Sequence, residues 1–69
     1  MTPETCPLTA LEIDIVKQLA DGDTAKAIAK KVDRTEFSIA MQIKIMRRVV
    51  GARNAPHLTA IALRKGWIE

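Results

Sequence analysis

Hydrophobic residues recur along this chain in four blocks, each with helical rather than strand spacing. In the first, Leu11, Ile15 and Leu19 repeat every four residues, and Thr9 with Glu12 forms a Thr-x-x-Glu capping box at the start. The pattern predicts a helix over residues 10–20, with Leu8 stapling its entrance and Asp21, Gly22 and Asp23 ending it. A second block predicts a helix over residues 25–32, opened by Asp23 or Thr24. Ile28 and Val32 face inward there, and Ala29 is small enough for another helix to cross close above it. Asp33 and Arg34 then make a tight turn, since Asp tolerates left-handed backbone, and Thr35 caps the next helix.

The third block is the longest. Ile39, Ile43, Met46 and Val50 fall at i, i+4, i+7 and i+11, one inward stripe of a helix over residues 36–50 that Gly51 stops. At about 100° per residue, Phe37, Met41, Lys44 and Arg48 lie nearly opposite, flanked by Ser38 and Ile45. A linker over residues 51–55 leads to Pro56, which suits a first helical turn, and a fourth helix over residues 58–64 closes at Gly66. Leu58, Ile61 and Ala62 are its expected core positions, and Trp67 and Ile68 fold back as an apolar lid. The expected fold is therefore an all-α, four-helix domain over residues 8–69 behind a tail over residues 1–7.

A chain of 69 residues makes one domain and buries only about 60% of its unfolded surface, so association with a second copy would add stability. No stretch approaches the roughly 20 apolar residues that span a bilayer, and residues 1–8 lack the layout of a signal peptide, so a cytoplasmic protein is expected. Cys6 is the only cysteine, which leaves no internal disulfide or thiolate metal cluster and reads as an incidental thiol. His57 has no partner at ligand spacing and reads as a surface residue. With no phosphate-cradling glycine loop, paired carboxylates or nucleophile beside a base, neither enzyme chemistry nor a metal or cofactor is expected.

Charge is unevenly spread within the net of +3. Residues 1–24 set Glu4, Glu12, Asp14, Asp21 and Asp23 against Lys17 alone, a balance of −4. Residues 25–65 set ten bases (Lys26, Lys30, Lys31, Arg34, Lys44, Arg47, Arg48, Arg53, Arg64 and Lys65) against Asp33 and Glu36, a balance of +8. Glu69 completes the count. A basic half on a small helical domain attracts a phosphate backbone, with affinity that falls as salt rises. Together with two helices joined by a tight turn, this points to a helix-turn-helix that binds duplex DNA.

Leu8-Thr9, Glu12, Leu19-Ala20-x-Gly22, Lys26-x-Ile28-Ala29, the helix opening at Thr35, and Ala62-Leu63-Arg64-Lys65-Gly66 resemble the LuxR-type (GerE- and FixJ-like) DNA-binding domain over residues 8–68 without a gap. Region 4 of sigma factors shares the pattern of the first two helices. The resemblance implies a third helix in the major groove and a fourth that mediates dimerisation. It also implies a phosphate contact for Lys26. The third helix keeps the family's apolar framework and changes its polar positions: Ala40 and Val49 stand where lysines are typical, Gln42 where histidine is, and Ile45 where asparagine is.

The expected function is a small bacterial or phage transcription regulator that binds duplex DNA as a homodimer. Lys26, Thr35 and Ser38 are assigned to phosphates, while Met41, Lys44, Arg47 and Arg48 are assigned to base edges or neighbouring phosphates. Gln42 lies toward the flank of the core stripe and reads as structural or phosphate-side. Thr59, Ala60 and Leu63 form the expected dimer face. The alternative is an anti-activator or adaptor that keeps the fold and binds a transcription regulator or polymerase subunit. Whether Phe37, Met41 and Ile45 meet thymine methyls, a protein partner or the core stays open at this level.

Overall fold

The four blocks become four helices in a computed structural model that describes residues 6–69: α1 (Ala10–Ala20), α2 (Ala25–Lys31), α3 (Glu36–Val50) and α4 (Ala55–Arg64). There is no strand among the described residues. The expected tail falls mostly outside them. Of it, only Cys6 and Pro7 are described, with the Cys6 thiol half-buried and 3.9 Å from the Leu8 carbonyl oxygen.

Every helix is opened by a side-chain oxygen. Thr9 Oγ1 accepts from the Glu12 N–H, and a Glu12 carboxylate oxygen accepts from the Thr9 N–H, which completes the capping box. Thr24 and Thr35 cap α2 and α3 in the same sense, accepting from the Ala27 and Ser38 N–H groups. Every helix also ends on a left-handed residue whose successor's N–H returns to a carbonyl of the last turn. Three of those residues are glycines. The fourth is Asp33, at φ 56°, with the Arg34 N–H donating to the Ala29 carbonyl.

Helix α4 begins three residues earlier than its apolar pattern indicates. Asn54 caps it, accepting from the His57 N–H at 2.8 Å, and Pro56 fits the first turn because no N–H is required there. Helix α2 ends one residue early, with Val32 as its C-cap.

One core joins the elements. Ile15, Val16, Ile28, Ile39, Met46, Leu58 and Ala62 are fully buried, and Leu8, Ala29, Trp67 and Ile68 close over them. Trp67 and Ile68 thus form the expected lid. The stripe on α1 is centred differently from expectation: Ile15 and Val16 are inside while Leu11 and Leu19 are half-buried. The cause is that α1 packs against α2 and α4 together, so its buried arc is wider than a single four-residue row. Val32, Ile43, Val50 and Ile61 are likewise half-buried at the edge of the core. Helix α3 packs on α2 and α4.

The Asp33 turn fixes how α3 leaves α2, which makes it a sensitive point. An L-residue in the left-handed region costs about 1–2 kcal/mol, a penalty that β-branching worsens and glycine removes. Asp33→Gly is expected to keep or raise stability and Asp33→Val to lower it by at least about 1 kcal/mol, with thermal melts followed by circular dichroism moving by about 4–8 °C per kcal/mol. Ile39→Ala is expected to cost about 2–5 kcal/mol and leave much of the chain unfolded in the same assay.

Candidate nucleic-acid interface

Burying Ile39 and Met46 turns the opposite side of α3 outward, and that side is apolar along its length. Phe37 is 76% exposed, Met41 41%, Ile45 47% and Val49 55%. Four-residue steps on a helix drift by about 40° each, so these side chains form one slowly winding stripe. Phe37 therefore does not tuck into the core. Lys44 and Arg48 are exposed on the same side, and Glu36, on the first turn, is the only carboxylate on α3.

Two further polar side chains of this helix, Gln42 and Arg47, are committed inside the fold. Gln42 is half-buried, and its Nε2 donates to the second oxygen of the Glu12 carboxylate. Glu12 consequently uses one oxygen to complete the α1 capping box and the other to hold α3. Arg47, assigned from the sequence to DNA, is half-buried and donates from Nη2 to the Arg53 carbonyl. It ties the end of α3 to the connection leading into α4. The Gln42 bond spans thirty positions, and no local spacing in the sequence announces it.

Thr35 and Ser38 open α3. The exposed Thr35 hydroxyl accepts the Ser38 N–H at 3.0 Å, and a hydroxyl that accepts in a cap keeps its own proton to donate. Capping and an external contact are therefore compatible at this residue. Ser38 is half-buried beside it. Lys26 is exposed on the first turn of α2. Lys31, in the last turn, sits 2.6 Å from an Asp23 carboxylate oxygen. That hydrogen bond, reinforced by the Asp23 charge, raises the Lys31 pKa above the ordinary lysine value. The pair is formed at neutral pH, and its contribution is lost as pH rises through the raised pKa. Being exposed, it adds little to stability.

On α4, Leu63 is 50% exposed, whereas Thr59 and Ala60 are half-buried. The Thr59 hydroxyl donates to the Pro56 carbonyl at 2.7 Å. Thr59 also lines a shallow groove of about 200 Å³ with Leu19, Ala20, Ala55 and Pro56, between the end of α1 and the start of α4. His57 is partly exposed and also has a structural role. Its Nδ1 accepts the Arg53 N–H at 3.0 Å, which places the proton of the neutral ring on Nε2.

No protein-family model, curated protein or solved structure matches the chain. Among the described residues, no helix is long and apolar enough to cross a membrane, and no three His, Cys, Asp or Glu side chains gather where they could hold a metal ion. Among the described residues, the surface is thus a helix face that none of them covers, where apolar side chains and cations interleave, on a helix held by side-chain ties at two points.

Those ties can be separated by mutation. Gln42→Ala removes only the bond to α1 and is expected to cost about 1 kcal/mol, whereas Glu12→Ala also removes the capping-box partner and should cost more. In a Glu12→Ala background, Gln42→Ala should then cost much less than it does alone. Denaturant melts of the two single variants and the double variant measure this coupling.

Proposed function

We propose that the chain is a DNA-binding transcription regulator of the LuxR type, with α3 lying in the major groove of duplex DNA. The observation that carries this reading is the outward side of α3. It is uncovered over the whole length of the helix, bears the cations Lys44 and Arg48, and follows α2 across the short connection of residues 32–35. A 15-residue helix with a free face is the kind of element the major groove admits, and a brace packed behind it resists tilting. Lys26, Thr35 and Ser38 contribute phosphate contacts in this arrangement. Lys44 and Arg48 reach base edges or the flanking backbone. Arg47 acts differently from its sequence assignment: it fixes the end of the reading helix from within.

Dimerisation through α4 belongs to the same proposal. Leu63, with Ala60 and Thr59 beside it, offers an apolar contact with small neighbours that lets a second copy approach. Two copies would read half-sites about 34 Å apart. Such a regulator works on DNA in the cytoplasm of a bacterial or phage-infected cell.

The Phe37–Met41–Ile45–Val49 stripe favours a second reading, an adaptor that covers this stripe with another protein. A salt titration separates the two. If two copies each set about three cations against phosphates, fluorescence anisotropy on random-sequence duplex should show affinity falling about a thousandfold between about 50 and 200 mM salt. The adaptor reading expects negligible binding in dilute buffer, a result that would overturn the regulator. Lys26→Ala should weaken binding to all sequences alike and flatten the salt slope, whereas Lys44→Ala and Arg48→Ala should relax preference at particular bases.

A further inference from the structure

We infer that the α3 surface also selects its DNA through thymine methyl groups, with Phe37, Met41 and Ile45 as specificity-determining side chains beside Lys44 and Arg48. The inference rests on the DNA-binding reading and names what that site recognises. Three observations lead to it. Phe37, Met41 and Ile45 are exposed on the outward face, interleaved with Lys44 and Arg48. Two polar groups of the same helix that suit hydrogen-bonded base reading are withdrawn, Gln42 to the Glu12 carboxylate and Arg47 to the Arg53 carbonyl, which leaves Lys44 and Arg48 as the polar readers. The cations Lys44 and Arg48 stay free on the same face for base edges or phosphates, and no carboxylate lies on the stripe to repel either.

In the major groove every base edge offers polar atoms, but only thymine adds a C5 methyl. An apolar side chain pressed on a polar edge strips water from it and returns no hydrogen bond. The same side chain on a thymine methyl removes apolar surface from water on both partners. Sites with thymines under the winding line of Phe37, Met41 and Ile45 are therefore favoured. 5-Methylcytosine, which carries a methyl at the equivalent ring position, should substitute for thymine in part. Uracil, which lacks that methyl, should not.

The test uses the full chain and the tightest-binding duplexes selected from a pool with a random core, resynthesised with deoxyuridine in place of each thymidine in turn. At two or more positions the replacement is expected to weaken binding by about fourfold per methyl, the effect of one buried methyl-sized group. Met41→Ala and Phe37→Ala should each abolish the penalty at their own positions. Phe37 is 76% and Met41 41% exposed, outside the buried core, and circular dichroism checks that both variants fold. Salt-sensitive binding with no deoxyuridine penalty anywhere, or a penalty that persists in both variants, would overturn methyl recognition and leave the DNA-binding reading standing. Absence of binding to any duplex in dilute buffer would remove both.

Discussion

The left-handed backbone at Asp33 is the constraint on which the rest of the molecule depends. Four residues separate α2 from α3, and the chain must reverse sharply enough within them for Ile28 and Ala29 on one helix and Ile39 and Met46 on the next to enter a single core. A longer or looser connection would permit other rotations of α3, each exposing a different face. Because the turn is closed by the Arg34 N–H on the Ala29 carbonyl and α3 restarts at once on the Thr35 cap, a single rotation is selected. The inward row is then determined, and the outward row with it.

The helices and their ends were legible because the signals are local. Thr9 and Glu12, three residues apart, carry a cap in their spacing, and Gly22 or Gly66 just past an apolar row carries a stop. Asn54 gives a signal of the same kind, three residues before His57, but the apolar pattern of α4 starts only at Leu58 and masks it. Val16 was less accessible. Its burial depends on α1 being flanked by two helices, which no window within α1 records.

The surface was legible in outline and not in its details. Helical phase alone places Phe37, Met41 and Ile45 opposite the core stripe, yet apolar residues of that size are usually inside, and only the packed fold shows that none of the described residues covers them. The commitments of Gln42 and Arg47 depend on tertiary neighbours, one on α1 and the other beyond the end of α3. The outcome blurs the ordinary division on α3. The Gln42 amide and the Arg47 guanidinium serve the interior architecture, and Phe37, Met41 and Ile45 are left outward beside Lys44 and Arg48.

The positions of the aromatic residues give the molecule two separate optical regions. Trp67 is the only tryptophan, and it is buried as part of the lid near the end of the chain, while α3 carries only phenylalanine and no tyrosine occurs anywhere. Indole emission excited near the red edge of its absorption therefore reports on the integrity of the core and not directly on events at the outer surface of α3. Unfolding can therefore be followed by intrinsic fluorescence without a label on the chain.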